Sequence, residues 1–219
     1  SISYSWSLIF YGMAGLFLAI WLWHGTVLPR PADDVQRQYV SARSVWLGFL
    51  NTFKTFFKKE RIFTVLYFIL LFRMPEAFLS KVTELFLIDT PQDGGLGLSP
   101  QEFGLVQGTV GAIGVSLGGL LGGFVVSRGG LKRWLWPMTA AYTLPALVYV
   151  FMGYELPSSL MIINFCVFFE QFGYGFGLTA YMLYLIYISR GDYQTSHYSI
   201  VSALMSLSMM LPGLFAGAL

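Results

Sequence analysis

Long apolar runs alternate with short polar connections along the chain, and this pattern predicts helices that cross a membrane. A helix needs about 20 apolar residues to span the roughly 30 Å hydrocarbon layer of a bilayer. Six runs reach that length, and they cover residues 6–28, 62–88, 103–127, 134–154, 158–189 and 198–219. They are continuously apolar rather than alternating, which argues against membrane strands. The sequence therefore predicts an all-α, polytopic transmembrane helix bundle.

The basic residues predict how these helices are oriented. Of the 13 Lys and Arg residues, all but Arg73 and Lys81 lie in the connections after the first, third and fifth runs. The two opposite connections, 89–102 and 155–157, contain no Lys or Arg. Basic connections stay on the cytoplasmic side of a membrane. We therefore expect the 29–61 connection to be cytoplasmic.

That long connection contains a second kind of helix. One face of the segment 43–60 is aromatic and apolar, and the opposite face carries lysines and amides: Trp46, Phe49, Leu50, Phe53, Phe56 and Phe57 against Asn51, Lys54, Thr55 and Lys58. This is typical of an amphipathic helix that lies in the membrane interface. We predict a cytoplasmic interfacial helix here and not a further span.

Composition supports the membrane assignment and narrows the function. The chain is 56% hydrophobic and 11% charged, with a net charge of +2, which is unusual for a soluble domain and gives no basis for nucleic-acid binding. The sequence shows no metal-ligand spacing, phosphate loop or Ser/His/Asp arrangement. We therefore expect no enzyme activity, no cofactor and no metal, with the lipid bilayer as the main partner.

The second run carries four charges inside an otherwise apolar helix. Arg73, Glu76, Lys81 and Glu84 fall on one helical face together with Ser80. Each charge facing lipid costs on the order of 2.5–3.5 kcal/mol even on the most lenient scale, so this face is expected to line a polar cavity or to meet polar partners. Two interpretations stay open: structural charges that pair with one another, or a pathway for a solute. In the second, Arg73 and Lys81 meet carboxylates of the solute.

The fifth run carries the remaining acid within a span. Glu170, Gln171, Tyr174 and Tyr181 share one face, where tyrosines and amides suit a sugar or peptide ligand but also hold helices together. Glu76 and Glu84 each have a cation three residues earlier, whereas Glu170 has none in its own span. Desolvation then favours the protonated acid at Glu170. Glu170 is the first candidate for proton coupling, followed by Glu76 and Glu84, and a structural Glu170 is the alternative.

A short basic turn follows the glycine-rich third run. Gly114, Gly118 and Gly122 form a small-xxx-small series, which favours close helix packing, dimerisation or a sliding surface. The turn Gly-Phe-Val-Val-Ser-Arg-Gly-Gly-Leu-Lys-Arg at 123–133 resembles the signature of the major facilitator superfamily. The matching positions are Gly123, Arg128, Gly130, Lys132 and Arg133, while Ser127 stands where the family usually has an acid. The resemblance implies that this turn acts in gating, but without the contribution that the acid makes in the family.

Two longer stretches, 86–123 and 168–189, resemble the muropeptide permease group of that superfamily, also described as β-lactamase induction signal transducers. The resemblance implies that residues 1–28 form the last helix of the N-terminal half, 29–61 the central cytoplasmic loop, and 62–219 an incomplete C-terminal half. The chain would then be an internal piece of a longer protein, covering about the sixth to eleventh helices.

The resemblance also implies a function. Members of this group import anhydro-muramyl peptides with the proton gradient, and related members carry acetyl-CoA. We therefore expect a proton-coupled secondary transporter, acting as a monomer in the bacterial inner membrane on an anionic sugar-peptide. The alternatives are a pore or channel, and a carrier of another organic anion such as acetyl-CoA.

Overall fold

The computed structural model describes residues 2–29 and 41–215, and the described residues form helices and connecting turns with no strand among them. The chain divides into two compact units, Ser1–Leu47 and Gly48–Leu219. The first contains the helix α1 (Ile2–Val27). The helix α2 (Ala42–Phe57) crosses the division, and the rest of the description concerns the second unit.

The second unit is built from seven further helices, several of which follow one another with hardly a break. They are α3 (Ile62–Ile88), α4 (Pro100–Phe103), α5 (Ala112–Gly129), α6 (Leu131–Thr143), α7 (Leu147–Glu155), α8 (Leu160–Ser189) and α9 (Gln194–Phe215). A π-helical segment, Gly104–Gly111, joins α4 to α5. A 3₁₀ turn, Leu144–Ala146, joins α6 to α7.

Five stretches of helix are long and apolar enough to cross a membrane within the described residues. They are Tyr4–Val27, Ile62–Ile88, Pro100–Gly129, Leu131–Glu155 and Leu160–Ser189. The predicted helical bundle is therefore confirmed, with one span fewer than the six expected. The sixth expected span, 198–219, is helical as far as Phe215, and its last four residues lie outside the described part of the chain.

The core of the second unit consists of two apolar clusters rather than one. The first lies around the N-terminal half of α3 and the C-terminal part of α8, and includes Phe72, Tyr181 and Leu185. The second lies around the other ends of these helices, and includes Leu87, Val106 and Val167. Between the two clusters, these helices carry a group of polar residues: Arg73, Glu76, Ser80, Lys81, Thr83 and Glu84 on α3, and Glu170, Gln171 and Tyr174 on α8. A polar layer therefore interrupts the apolar core near the middle of the spans.

Helices α5 and α8 pack with their backbones in close contact. A Cβ atom added at Gly114 or Gly122 would lie 2.9 Å from a backbone oxygen of α8, and one at Gly118 would overlap the Phe172 carbonyl. From the other side, a Cβ at Gly175 would overlap the Val115 carbonyl. Small residues permit this approach in membranes. The glycine series is therefore used for packing within the chain.

Turn chemistry fixes both ends of the span that runs from α4 through the π-helical segment to α5. At the start of α4, the Ser99 hydroxyl accepts from the backbone N–H of Glu102, and the Glu102 carboxylate accepts from the Ser99 backbone N–H at 2.9 Å. The two residues thus form a capping box, with Pro100 at the first helical position. At the other end, Gly130 separates α5 from α6 with a φ of 75°, a conformation that favours glycine.

Prolines affect the spans unequally. We expected Pro75, Pro145 and Pro212 to kink helices, since each removes a backbone hydrogen bond. Around Pro145 the helix changes to a 3₁₀ turn, and α6 and α7 become separate elements. Helices α3 and α9 continue through Pro75 and Pro212.

The helix α2 exists as predicted, at 42–57 rather than 43–60, but its two faces are used differently. From the apolar face, Phe56 is fully buried in the first apolar cluster, whereas Leu50 and Phe57 are exposed. Thr52, one turn before Phe56, is also buried, and Thr55 of the polar face contacts His197 of α9. Lys54 and Lys58 of the polar face are exposed, and the position of α2 in the membrane interface stays a prediction.

Candidate functional site

A polar cavity of about 470 Å³ lies in the interrupted part of the core. Helix α3 forms one wall, the π-helical segment forms another, and α7 and α8 complete it. Its lining residues are Glu76, Leu79, Ser80, Thr83, Glu84, Phe103, Gly104, Gln107, Gly108, Tyr149, Glu170 and Gln171. The cavity thus brings together the three acids that the sequence places within spans, and no Lys or Arg is among its lining residues.

Glu170 is the most deeply buried acid of this cavity, with 3% of its surface exposed. Its Oε2 atom accepts hydrogen bonds from Gln171 Nε2 at 2.8 Å and from the Tyr149 hydroxyl at 3.3 Å. No described residue forms a hydrogen bond with the other carboxylate oxygen, Oε1. Burial without a cationic partner favours the neutral carboxylic acid. The geometry is suited to a carboxyl group that gains and loses a proton.

Arg73 is buried on α3 beside the cavity but does not line it. Only 8% of its surface is exposed. Its Nη1 atom donates to the hydroxyl oxygens of Tyr142 and Tyr174, at 3.1 and 3.0 Å, and its buried Nε atom has no hydrogen-bond partner. A buried cation is normally paired with an anion. Arg73 is instead held by neutral tyrosines, which leaves its charge uncompensated by a contact.

The two expected charge pairs of α3 do not form as contacts. Within the described residues, the one ion pair with a nitrogen–oxygen distance of 4.0 Å or less joins Glu60 to Arg61. The interpretation that the charges of α3 pair with one another is therefore wrong for direct contacts. Glu76 and Glu84 face the cavity, whereas Arg73 meets tyrosines and Lys81 is exposed outside the cavity lining. The role of Lys81 in solute binding stays a prediction.

The other predicted binding residues of α8 separate into three environments. Gln171 lines the cavity and holds Glu170. Tyr174 holds Arg73. Tyr181 is fully buried in the first apolar cluster, and its hydroxyl donates to the Ile69 carbonyl at 3.1 Å. Tyr181 therefore contributes to the packing of α8 against α3, and the cavity does not reach it.

The predicted gating turn lies at the junction of α5 and α6, away from the cavity lining. Gly130 adopts the positive φ described above, and the Arg128 guanidinium lies 4.3 Å from the centre of the Phe124 ring. Arg128, Lys132 and Arg133 are exposed. Gly123 has open space beside it. The turn is compact, and its gating role stays a prediction.

Sequence reasoning missed two cavity residues that matter for its chemistry. Tyr149 lies two helical turns after Tyr142, so both tyrosines face α8 from α6 and α7. Gln107 is the amide in a span otherwise rich in glycine and apolar residues, and that isolated polar position was the available signal. Among the described residues no group of three or more His, Cys, Asp or Glu side chains is arranged to hold a metal ion.

The fold and the cavity define the chain as an integral, multi-pass membrane protein with a polar site among its spans. Comparison with known proteins narrows this class. The chain is 26% identical over 215 residues to a Rickettsia conorii protein with the provisional name transporter AmpG 4, covering 98% of this chain and 50% of that protein. It is 25% identical over 199 residues to the anhydromuropeptide permease of Escherichia coli K12, covering 86% of this chain and 36% of the permease.

A third relative, a Rickettsia prowazekii protein provisionally named transporter AmpG 2, is 22% identical over 169 residues, which cover 77% of this chain and 40% of that protein. No protein-family model matches the chain. The chain spans about half the length of the first of these relatives and a smaller share of the other two. The resemblance to the muropeptide permease group, predicted from two stretches of sequence, is confirmed over most of the chain.

Proposed function

We propose that this chain forms part of a secondary active transporter that imports an anionic sugar-peptide, of the anhydromuropeptide kind, together with protons across the bacterial inner membrane. The names of the relatives support transport as the general activity. The observation that carries the proposal is the cavity, because it places three carboxyl groups inside the membrane-spanning part of the bundle. Acids inside a membrane are costly and are typical of ion and proton pathways.

The proton is assigned to Glu170. This acid is the most buried of the three, has one oxygen held by Gln171 and Tyr149, and keeps the second oxygen without a partner among the described residues. A neutral acid in this position completes no ion pair, and its proton can leave only when water or a partner reaches the free oxygen. Glu76 and Glu84 line the same cavity and serve as the next groups on a proton path.

The anionic part of the solute is assigned to Arg73. The guanidinium is buried beside the cavity and is held by two tyrosines, and no described carboxylate lies within ion-pair distance of it. A carboxylate of the solute supplies the anion that the protein does not. Arg binds such a group through two parallel hydrogen bonds. For solute to reach Arg73, its contact with Tyr142 or Tyr174 has to open.

Uptake into vesicles tests this proposal. Vesicles that contain the full-length protein are given radiolabelled anhydromuropeptide, with and without an inward-directed proton gradient. We expect accumulation above the external concentration with the gradient, and its loss on addition of a protonophore. Uptake that only equilibrates the solute, together with ion currents above the turnover of a transporter, would show a channel. Selective accumulation of acetyl-CoA instead would show a carrier of a different organic anion.

A further inference from the structure

The wall of the cavity opposite α3 is made of bare backbone and one amide side chain. It belongs to the π-helical segment Gly104–Gly111, of which Gly104, Gln107 and Gly108 line the cavity while Val106 is fully buried in the apolar cluster behind. We call these three lining residues the glycine face. The π-helix is rare and is found frequently at functional sites. One side of the segment is thus fixed by packing, and the other is presented to the cavity.

The glycines of this face are not required by the packing of the protein. A Cβ atom added at Gly104 or Gly108 would meet no heavy atom within 4 Å. The glycines of α5 differ, since a Cβ at Gly114, Gly118 or Gly122 would press on the backbone of α8. Since Gly104 and Gly108 also line the cavity, their backbone is open to a molecule that enters it.

Two polar side chains of the cavity, one from the glycine face and one from α8, have unused hydrogen-bonding capacity. Gln107 is half-buried, its side chain lies next to Gly111 and Gln171, and no hydrogen bond from any described residue reaches its carboxamide. Glu170 also lines the cavity and is almost fully buried, with 3% of its surface exposed. Its Oε1 atom has no hydrogen-bond partner in the described part of the chain. Both groups line the cavity, so both can form hydrogen bonds with a molecule inside it.

We infer that the glycine face receives the uncharged, hydroxyl-bearing part of the transported solute, and that Gln107 is a specificity-determining residue that hydrogen-bonds to it. This inference rests on the proposed function. A carboxamide both donates and accepts hydrogen bonds and carries no charge, which matches the hydroxyl groups of a sugar ring. The bare backbone at Gly104 and Gly108 lets such a ring approach closely. The charged part of the solute is left to Arg73.

The test uses three variants of the full-length protein in vesicles. Gly108→Ala narrows the cavity without touching the rest of the chain, and Gln107→Leu removes the amide at similar size. Gly153→Ala is the matched control, because its Cβ also meets no atom within 4 Å and it lies outside the cavity lining. Initial rates of proton-driven uptake are measured for radiolabelled anhydromuropeptide and for its O-methylated analogue, and thermal stability in detergent is measured for each variant.

We expect Gly108→Ala to raise KM for the anhydromuropeptide at least tenfold and to keep its thermal stability. The Gly153→Ala control should keep both the KM and the thermal stability of the unmodified protein. Gln107→Leu should raise KM for the anhydromuropeptide at least tenfold and change KM for the O-methylated analogue less than twofold. An unchanged KM for the anhydromuropeptide in Gln107→Leu overturns the inference, and so does an equal rise for both solutes.

The outcome for the unmodified protein separates this inference from the proposed function. Absence of proton-driven accumulation by the unmodified protein overturns the proposed function and the inference with it. Suppose that the unmodified protein accumulates the solute and that Gln107→Leu has the same KM values as the unmodified protein. The proposed function then stands, and the inference alone is overturned. If Gly108→Ala proves unstable, Gln107→Leu decides the matter.

Discussion

Arg73 contacts Tyr174 in two ways at once: its Nη1 atom donates a hydrogen bond of 3.0 Å to the hydroxyl oxygen, and its guanidinium carbon lies 5.5 Å from the centre of the ring. The ring thus offers both a polar acceptor and an aromatic face to the same cation. These contacts orient the guanidinium without neutralising it. Its charge therefore remains free to attract an anion.

The first prediction concerns this charge. Arg73→Gln should weaken binding of acidic solutes by roughly tenfold to hundredfold, the range expected for hydrogen bonds to a charged group. Neutral analogues should lose much less. Competition against labelled solute in vesicles measures both. Tyr174→Phe is the matched variant, since it removes one acceptor but keeps the charge. An equal loss for acidic and neutral solutes would assign Arg73 a purely structural role.

The second prediction concerns proton coupling. Glu170→Gln keeps the size and the hydrogen-bonding shape of the side chain but cannot release a proton. The variant should lose gradient-driven accumulation and keep exchange of labelled for unlabelled solute. Glu155→Gln, an exposed position at the end of α7, is the control. Normal accumulation by Glu170→Gln would remove Glu170 from the mechanism.

The third prediction concerns the packing of α5 on α8. Gly118→Ala should lower stability by roughly 1–3 kcal/mol, because the new methyl group overlaps the Phe172 carbonyl. For a protein of this size, the melting temperature in detergent should fall by roughly 2–10 °C. Gly123→Ala, with open space beside it, should leave the melting temperature unchanged or raise it. Equal melting temperatures for the two variants would contradict the packing described here.

The fourth prediction concerns pH and His197, a buried residue near the ends of α2 and α8. Burial and the nearby charge of Lys59 lower the pKa of His197 from its ordinary value of 6.5. Its Nε2 atom lies 3.2 Å from the Thr52 carbonyl oxygen and 3.1 Å from Thr55 Oγ1. Below about pH 6.5 the unfolded chain therefore takes up a proton that the folded chain resists, so stability falls as pH falls.

Melting temperatures in detergent between about pH 7 and pH 5, above the ordinary range of carboxyl groups, measure this effect. His197→Gln keeps a neutral hydrogen-bonding group and should flatten the dependence. The Lys59 amino group donates to the Arg190 carbonyl at 2.8 Å and also to the Ile188 carbonyl, so a Lys59→Met variant should be less stable at every pH in this range. A pH dependence that survives in His197→Gln would point to another group.

The fifth prediction concerns orientation. A cysteine placed at Lys54, in a protein in which Cys166 is replaced by Ala, should react with a membrane-impermeant thiol reagent only from the cytoplasmic side. Lys54 is exposed on α2, whereas Cys166 is buried. Reaction only from the periplasmic side would reverse the orientation of every span.

The hydropathy pattern was sufficient to predict helices because most of each span is apolar, and local chemistry marks both ends of the span from Pro100 to Gly129. Ser99 and Glu102 form their capping box from residues three apart, and Gly130 ends α5 because few other residues adopt its φ. These features depend on neighbours in sequence. They could be predicted without knowledge of the packing.

The candidate site was predicted only in part, because its contacts join distant parts of the chain. The sequence indicated a polar face on α3 and an acid on α8, and the structure joins Glu76, Glu84 and Glu170 in one cavity. The partners of Arg73 could not be found in this way. A cation three residues before an acid suggests an ion pair along the helix. In the structure, the Arg73 guanidinium instead donates hydrogen bonds to tyrosines of α6 and α8.

The interlocked backbones of α5 and α8 have a consequence for how the cavity changes shape. Gln107 lies in the π-helical segment that continues into α5, and Gln171 belongs to α8. Both amides are therefore held by a pair of helices that cannot slide past each other without a clash between Gly118 and Phe172. Glu76 and Glu84 belong to α3, which side-chain contacts join to α8, among them the hydrogen bonds from Arg73 to Tyr174 and from Tyr181 to Ile69. Side-chain contacts rearrange more readily than interlocked backbones. We therefore expect a change in the shape of the cavity to come from the α3 side.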